Sequence, residues 1–283
     1  MPRVVELPDR GRLIVATDLQ GNLADFERVG DIFDRAAAEP DGAVLVVTGD
    51  LVHGPEIPRA HWPEYLGSYF RADSAAVLQC AEDLAERHPG RVHYLLGNHE
   101  HAHIGGPVVS KFFANEAHRL EQLMGPARSA FVRDWFRSWP LVAMARRARL
   151  LMLHAAPNAA ISSSDDVERV RLDPPGGAEG VVDGVLAELL WARTASEERA
   201  RAFLRAFDPE LRVAVYGHDV VREGFAIDRE PLLCISTSFG CYDGDKLYLE
   251  WDLAEAAESA SQVALHGLKA LYPDAEPIFR NYE

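Results

Sequence analysis

The 283-residue sequence predicts an α/β fold, a β-sandwich of mixed sheets with helices outside. Five short apolar runs rich in β-branched residues read as buried strands: "RLIVATD" (12–18), "GAVLVVTGD" (42–50), "RVHYLLGN" (91–98), "RLLMLHA" (149–155) and "LRVAVYGH" (211–218). Segments of helical period lie between them, and that alternation implies an α/β layering. After Val213 the pattern turns β-rich: "EGFAID", "PLLCIST" and "DKLYLEWDL" are strand-like and separated by short turns.

The elements between the strands follow from local chemistry. Residues 22–39, "NLADFERVGDIFDRAAAE", put Leu23, Phe26, Val29, Ile32 and Phe33 on one face of a helix. Residues 73–88 form a second helix with Asp73 as its cap. Residues 158–180, rich in Ser, Asp, Pro and Gly, read as a long exposed loop or a short helix with loops, lying over a site. "YDGDK" (242–246) reads as a hairpin turn. Helical period returns over 253–272, either packing on the sandwich or meeting a partner. Neither a repeat nor a dividing linker is visible. The expectation is one domain over 1–283, with a core of about 10–252 and a C-terminal helical extension of about 253–283.

Composition narrows the function classes. A chain that is 48% hydrophobic and 26% charged can bury a sizeable core. A net charge of −15 and a pI of about 5.2 argue against a nucleic-acid partner, which calls for a basic face. The N-terminus lacks the apolar run of a signal peptide, and no stretch approaches the roughly 18 apolar residues of a membrane span. Cys80, Cys234 and Cys241 are odd in number and widely spaced, which fits a reduced, cytoplasmic protein. There is no CxxC pair, so a thiolate zinc site is not expected.

The strand ends carry the chemistry. Each of the five runs stops at a metal-capable residue: Asp18 with Gln20 after it, Asp50, Asn98 with His99, His154, and His218. In α/β sheets ligands bind at the carboxyl ends of strands. Gly49, Gly97 and Gly217 each precede one of these residues and let the backbone pass close to an ion. Taken singly, an Asp after a strand is usually a cap and a lone His usually a core or surface residue. Five strand ends in one register are a different matter. Their carboxylates, amide oxygens and imidazoles suit a pair of divalent ions such as Mn²⁺, Fe or Zn²⁺.

These blocks, "DLQGN" (18–22), "GDLVHG" (49–54), "GNHE" (97–100), "HAAP" (154–157) and "YGHDVVREGF" (216–225), resemble in order and spacing the calcineurin-like metallophosphoesterases, and among them the phosphoprotein-phosphatase branch of bacterial type. "SWPLVA" (138–143) and "LLW" (189–191) resemble flanking segments of that branch, so the likeness covers roughly residues 10–252. The resemblance implies a sandwich of two mixed sheets flanked by helices. It implies that Asp50 bridges two metals, that Asp18 and position 20 complete one site, and that Asn98, His154 and His218 complete the other. It implies that His99 is the general acid and that Glu100 orients the loop. A hydroxide bridging the metals would then attack a phosphate monoester, as in protein serine/threonine phosphatases.

Two positions depart from the family pattern. Gln20 stands where a histidine is usual, leaving an all-oxygen site that favours Mn²⁺; it either ligates directly or acts through water. His53 stands where an aspartate would orient the general acid, and Gly54 where a phosphate-binding arginine would follow. His53 then does acid–base work itself, or the leaving group needs less help, or it is a plain loop residue. Arg193 is the first replacement for the missing arginine, with Lys111 and Arg222 behind it. His101 and His103 read as rim residues, and His61, His88, His93, His118 and His266 receive no function. The aromatics of "HWPEYLGSYF" (61–70) either line a pocket mouth or simply pack.

The leading expectation is therefore a metal-dependent phosphoesterase with a phosphorylated protein or small ester as substrate, and no membrane or nucleic-acid partner. Dinucleoside polyphosphates or phosphodiesters are the first alternative substrates. A mononuclear enzyme and a catalytically decayed binding scaffold are the other readings. The oligomeric state is not legible.

Overall fold

The computed structural model describes residues 2–173 and 184–280. Along the chain run β1 (Val4–Glu6), β2 (Arg12–Ala16), α1 (Leu23–Ala37), β3 (Ala43–Val47), α2 (Ser74–Arg87), β4 (Val92–Tyr94) and the single turn α3 (Asn98–His101). There follow α4 (Glu116–Met124), α5 (Pro126–Ser138), β5 (Val142–Ala145), β6 (Leu150–Leu153), α6 (Ser164–Glu168), α7 (Gly184–Trp191) and α8 (Glu197–Phe207). The chain then forms β7 (Val213–Tyr216), β8 (Phe225–Ala226), β9 (Leu232–Ile235), β10 (Leu247–Asp252), α9 (Ala260–Gly267) and β11 (Leu268–Ala270).

Two mixed sheets result. One has the order β1-β5-β6-β7-β9-β8, the other β11-β10-β2-β3-β4. In the second, β2, β3 and β4 are parallel, with Val15 opposite Val46 and Val47 opposite Tyr94, while β10 pairs antiparallel with β2. In the first, β6, β7 and β9 run parallel. The strands read as unbroken apolar runs because both faces are covered. Alternate residues Leu13, Val15, Val44 and Val46 meet Met152, Val213 and Val215 between the sheets. Their neighbours Ile14, Ala16, Leu45 and Val47 face outward onto Phe26, Val29 and Phe33 of α1 and Val77, Leu78 and Ala81 of α2.

The expected strands are all present, and Asn22 and Asp73 cap α1 and α2 by accepting from the backbone N–H of Asp25 and Ala76. Residues 242–246, however, do not turn a hairpin. The strands on either side belong to different sheets, and the segment is a short 3₁₀ turn at Asp243–Asp245 that crosses between them. Two of its charges, Asp245 and Lys246, point inward. Asp245 is fully buried and accepts the backbone N–H groups of Ile278, Phe279 and Arg280. The helix expected over 253–272 is also corrected: it is confined to α9, and Leu268–Ala270 instead extends the second sheet against β10. Within 158–180, Ser164–Glu168 is helical, and 174–180 lie outside the described residues. No described helix is long and apolar enough to cross a membrane.

Lys246 ties the two ends of the chain together. Its ammonium lies 2.8 Å from Asp25 Oδ2 in the first turn of α1, and the two side chains are 3% and 1% exposed. Ser238 and Tyr272 hydroxyls donate to the same carboxylate at 2.5 and 2.7 Å. Burial alone would lower the Lys246 ammonium pKa, but Asp25 and Asp243 hold it above the usual lysine range. Breaking a buried pair strands its partner's charge, at a cost of roughly 3–5 kcal/mol. Lys246→Met is expected to lose about that much stability in urea unfolding, with the m-value unchanged.

Candidate metal centre

The carboxyl ends of β2, β3, β4, β6 and β7 meet on one edge of the sandwich. The backbone there is unusual. Six non-glycine residues among those described have positive φ, and five of them are Asp18, Gln20, Asp50, His53 and His218. That left-handed region costs an ordinary residue roughly 1–3 kcal/mol, and such strain concentrates at functional sites. At Asp18, Asp50 and His218 it turns the ends of β2, β3 and β7 sharply where their side chains face the same point.

Glu100 holds two of these ends in place. One of its oxygens accepts the N–H groups of Asp50 and Gly97 at 2.9 and 3.1 Å, and the other those of Leu51 and Val52 at 2.8 and 3.3 Å. Burial and the neighbouring Asp50 push its carboxyl up to about 8, against the pull of these N–H groups. Close approach also explains the glycines. A Cβ on Gly97 would strike Asp50 Oδ1, and one on Gly217 would strike Asp18 Oδ2.

Asp50, His154 and His218 bring ligand atoms within 4.8 Å of one another. His154 Nε2 is 2.9 Å from Asn98 Oδ1, 3.2 Å from His218 Nδ1 and 3.5 Å from Asp50 Oδ1. Its Nδ1 is 2.9 Å from the Thr48 carbonyl, which fixes the ring with Nε2 toward the centre. Asp18 accepts the His218 N–H at 2.9 Å, and Gln20 donates to Asp50 Oδ2 at 3.4 Å. Every expected ligand thus lies at this edge.

The donor set fits a pair of cations. Gln20 Oε1 and His218 Nε2 are buried with no hydrogen-bond partner. A half-turn of the Gln20 amide would exchange its two ends and set the oxygen beside Asp50. Burial and the adjacent Asp50 drive the Asp18 carboxyl well above its usual range. Burial acts on Asp50 in the same sense, but the imidazoles of His99, His154 and His218 outweigh it and hold Asp50 low. Two buried carboxylates side by side resist joint ionisation, and a bound cation removes that conflict.

His99 presents one nitrogen to each side. Nε2 is 3.7 Å from Asp50 Oδ2, while Nδ1 is 3.2 Å from His53 Nδ1 and 3.5 Å from Glu116 Oε2. Burial holds His99 down, to about 4, against the pull of Asp50. His53 is no plain loop residue: its Nε2 is 2.9 Å from His103 Nε2, and His103 Nδ1 is 3.0 Å from Glu121. The expectation that His101 and His103 sit at the rim is corrected. They are 1% and 6% exposed, with His101 Nε2 set 3.0 Å from the Leu172 carbonyl. Glu116 is the residue that sequence reasoning missed. It starts a helix well away from every motif, so only the fold brings it to His99.

Arg193 is two-thirds exposed and ion-paired with Asp219, near enough to His218 for its charge to be felt there. Lys111 lies over the Phe239 ring at 3.8 Å; burial lowers its ammonium pKa, while Asp50, Asp18 and Glu116 work to raise it. Arg222 lies over the Phe279 ring, 5.5 Å from its centroid. Among the 61–70 aromatics, Trp62 packs on Tyr69 and Phe70, whereas Tyr65 lines a hollow shared with Lys111 and Phe112. Glu100→Gln would turn an N–H donor toward the backbone N–H groups that the carboxylate now receives. Loss of such a support costs about 10–100-fold in metal affinity, which calorimetric titration of the metal-free protein should register.

Comparison with known proteins agrees with this geometry. The family model for calcineurin-like phosphoesterases matches residues 11–222. A search of curated protein sequences finds no match. Among solved structures, a protein serine/threonine phosphatase from Saccharomyces cerevisiae superposes with a TM-score of 0.62 at 19% identity, covering 88% of this chain and 76% of that one. A cold-active protein-tyrosine phosphatase from a psychrophilic Shewanella species gives a TM-score of 0.52 at 16% identity, covering 88% of this chain and 77% of that one. At such identities these two speak for the fold, whereas the family match extends over three-quarters of the chain and takes in every expected strand-end ligand, so the chain belongs to the calcineurin-like phosphoesterases, a family of metal-dependent phosphoric-ester hydrolases.

Proposed function

We propose that the protein hydrolyses phosphate monoesters with two divalent ions, Mn²⁺ ahead of Fe or Zn²⁺, and that its substrate is a phosphoprotein or a small phosphate ester. The observation that carries this reading is the convergence of Asp18, Asp50, Asn98, His154 and His218 on one edge, with His99 Nε2 turned to the same point. Asn98, His154 and His218 would hold one ion and Asp18 with Gln20 the other, Asp50 serving both. When bound, such ions draw charge from phosphoryl oxygens and acidify a water into a nucleophile near neutral pH. The oxygen-rich Gln20 side suits the harder Mn²⁺.

The chain's own groups do the remaining work. His99 hands the proton on Nε2 to the leaving oxygen, and an arriving phosphate adds the negative charge that favours the protonated ring. His53 and Glu116 hold the other nitrogen, so the ring keeps its aim. Lys111, facing Asp18 and Asp50, meets the phosphate oxygens. Arg193 does so less, because Asp219 already neutralises it. The Trp191 ring, which ends the "LLW" block, lies 6.2 Å from His218 and supports the monoester reading through its likeness to phosphoprotein phosphatases.

The test pairs metal content with hydrolysis of an aryl phosphate, with and without added Mn²⁺. Turnover should depend on Mn²⁺, fall about 10²–10⁴-fold in His99→Ala, and vanish in Asp50→Asn. Lys111→Ala should raise KM about 10-fold, the loss of one charge-assisted contact, and Arg193→Ala should raise it less. A phosphopeptide should outpace a dinucleoside tetraphosphate; the reverse would make the protein a polyphosphate hydrolase. No bound ion and no turnover on either would mark a scaffold.

A further inference from the structure

Behind His99, on the side away from Asp50, three electron-rich atoms face one another. His53 Nδ1 and His99 Nδ1 are 3.2 Å apart, and Glu116 Oε2 is 3.6 Å from the first and 3.5 Å from the second. The three side chains are 1%, 5% and 2% exposed. Glu116 Oε2 has no hydrogen-bond partner, although Oε1 accepts the Phe112 N–H at 2.6 Å. One proton shared between the imidazoles would still leave that carboxylate oxygen unmatched in a buried place, which is costly.

We propose that His53 Nδ1, His99 Nδ1 and Glu116 Oε2 bind a further divalent cation of the Zn²⁺ class, separate from the Asp50 centre. The triangle has the right size. A tetrahedral zinc ion bonded at about 2.0–2.1 Å spaces its ligands roughly 3.3–3.4 Å apart, and the three edges straddle that value. Two imidazoles and a carboxylate suit Zn²⁺, as in zinc sites that keep a fourth position open.

The ligands are also supported from behind. His53 Nε2 meets His103 Nε2, His103 Nδ1 meets Glu121, and Arg133 donates to Glu121 at 2.8 Å. A proton on His53 Nε2 leaves its Nδ1 lone pair free and aimed inward, the way ligand histidines are commonly held. The fourth position has a source of water. A cavity of about 700 Å³ is lined by His53, Gly54, Glu116 and Phe113. A cation here would anchor His99 where the family pattern has an aspartate and this chain has His53.

The inference rests on this cluster and not on the phosphatase reading, and metal content separates the two. The full chain would be incubated with Zn²⁺, desalted and analysed for ions per chain, beside Glu116→Gln and His154→Ala. Glu116→Gln should hold one Zn²⁺ fewer than wild type, while His154→Ala should keep the ion that Glu116→Gln loses. Anomalous scattering at the zinc edge should place a peak inside the triangle. Equal zinc in wild type and Glu116→Gln, with no such peak, would mean a shared proton and overturn the proposal, whatever His154→Ala does. A loss in Glu116→Gln alone would uphold it while sinking the Asp50 centre. Should Glu116→Gln fail to fold by circular dichroism, His53→Asn must show the same single-ion loss, and an unchanged count there would be equally fatal.

Discussion

The site depends on one carboxylate. Glu100 gathers four backbone N–H groups from two loops that follow different strands, and so sets the distance between Asp50 and the turn that bears Asn98 and His99. Backbone donors of this kind would otherwise go unmatched in a buried place. Because Asp50 lies in a left-handed conformation at φ 55°, its backbone has to be held by something outside its own strand. Glu100 supplies that hold, and Gly97 leaves the room for it.

The sandwich does the rest by parallel alignment. Strands that run the same way deliver their carboxyl ends to the same edge, so residues 200 apart in sequence, such as Asp18 and His218, become hydrogen-bond partners. Thr17 helps to lock the two sheets at this point, donating its hydroxyl to the Ile235 carbonyl at 2.7 Å and its backbone N–H to the Thr237 hydroxyl at 2.9 Å. Continuous apolar runs serve both faces of each strand, between the sheets and under the helices. Much of the buried charge gathers at the strand ends and in pairs such as Lys246 with Asp25.

His99 is the hinge between two chemistries. On one side it faces the Asp50 group, on the other a layer of His53, His103, Glu116 and Glu121 that supports it. This second layer accounts for His53. A histidine in place of an aspartate would set two imidazoles against each other, unless a carboxylate from elsewhere joins them. Glu116 at the start of α4 is that carboxylate.

Much of this was written in the sequence. β-Branched runs of strand length, each stopped by a polar residue and three of them through a glycine, fix strand existence and the choice of polar groups locally, because side-chain alternation and backbone sterics act over a few residues. Hence the five strands, the α1 and α2 caps, and the residues Asp18, Asp50, Asn98, His154 and His218 were legible. What depended on long-range packing was not. The turn at 242–246 has hairpin composition, but its two flanks join different sheets, and only burial of Asp245 and Lys246 against distant partners decides that. Leu268–Ala270 becomes a strand because the β10 edge lies open beside it. His103 and Glu116 carry no motif, and they matter solely because tertiary packing brings their side chains to His53 and His99. Local sequence thus determined which groups this protein can offer an ion, and the fold alone decided which of them meet.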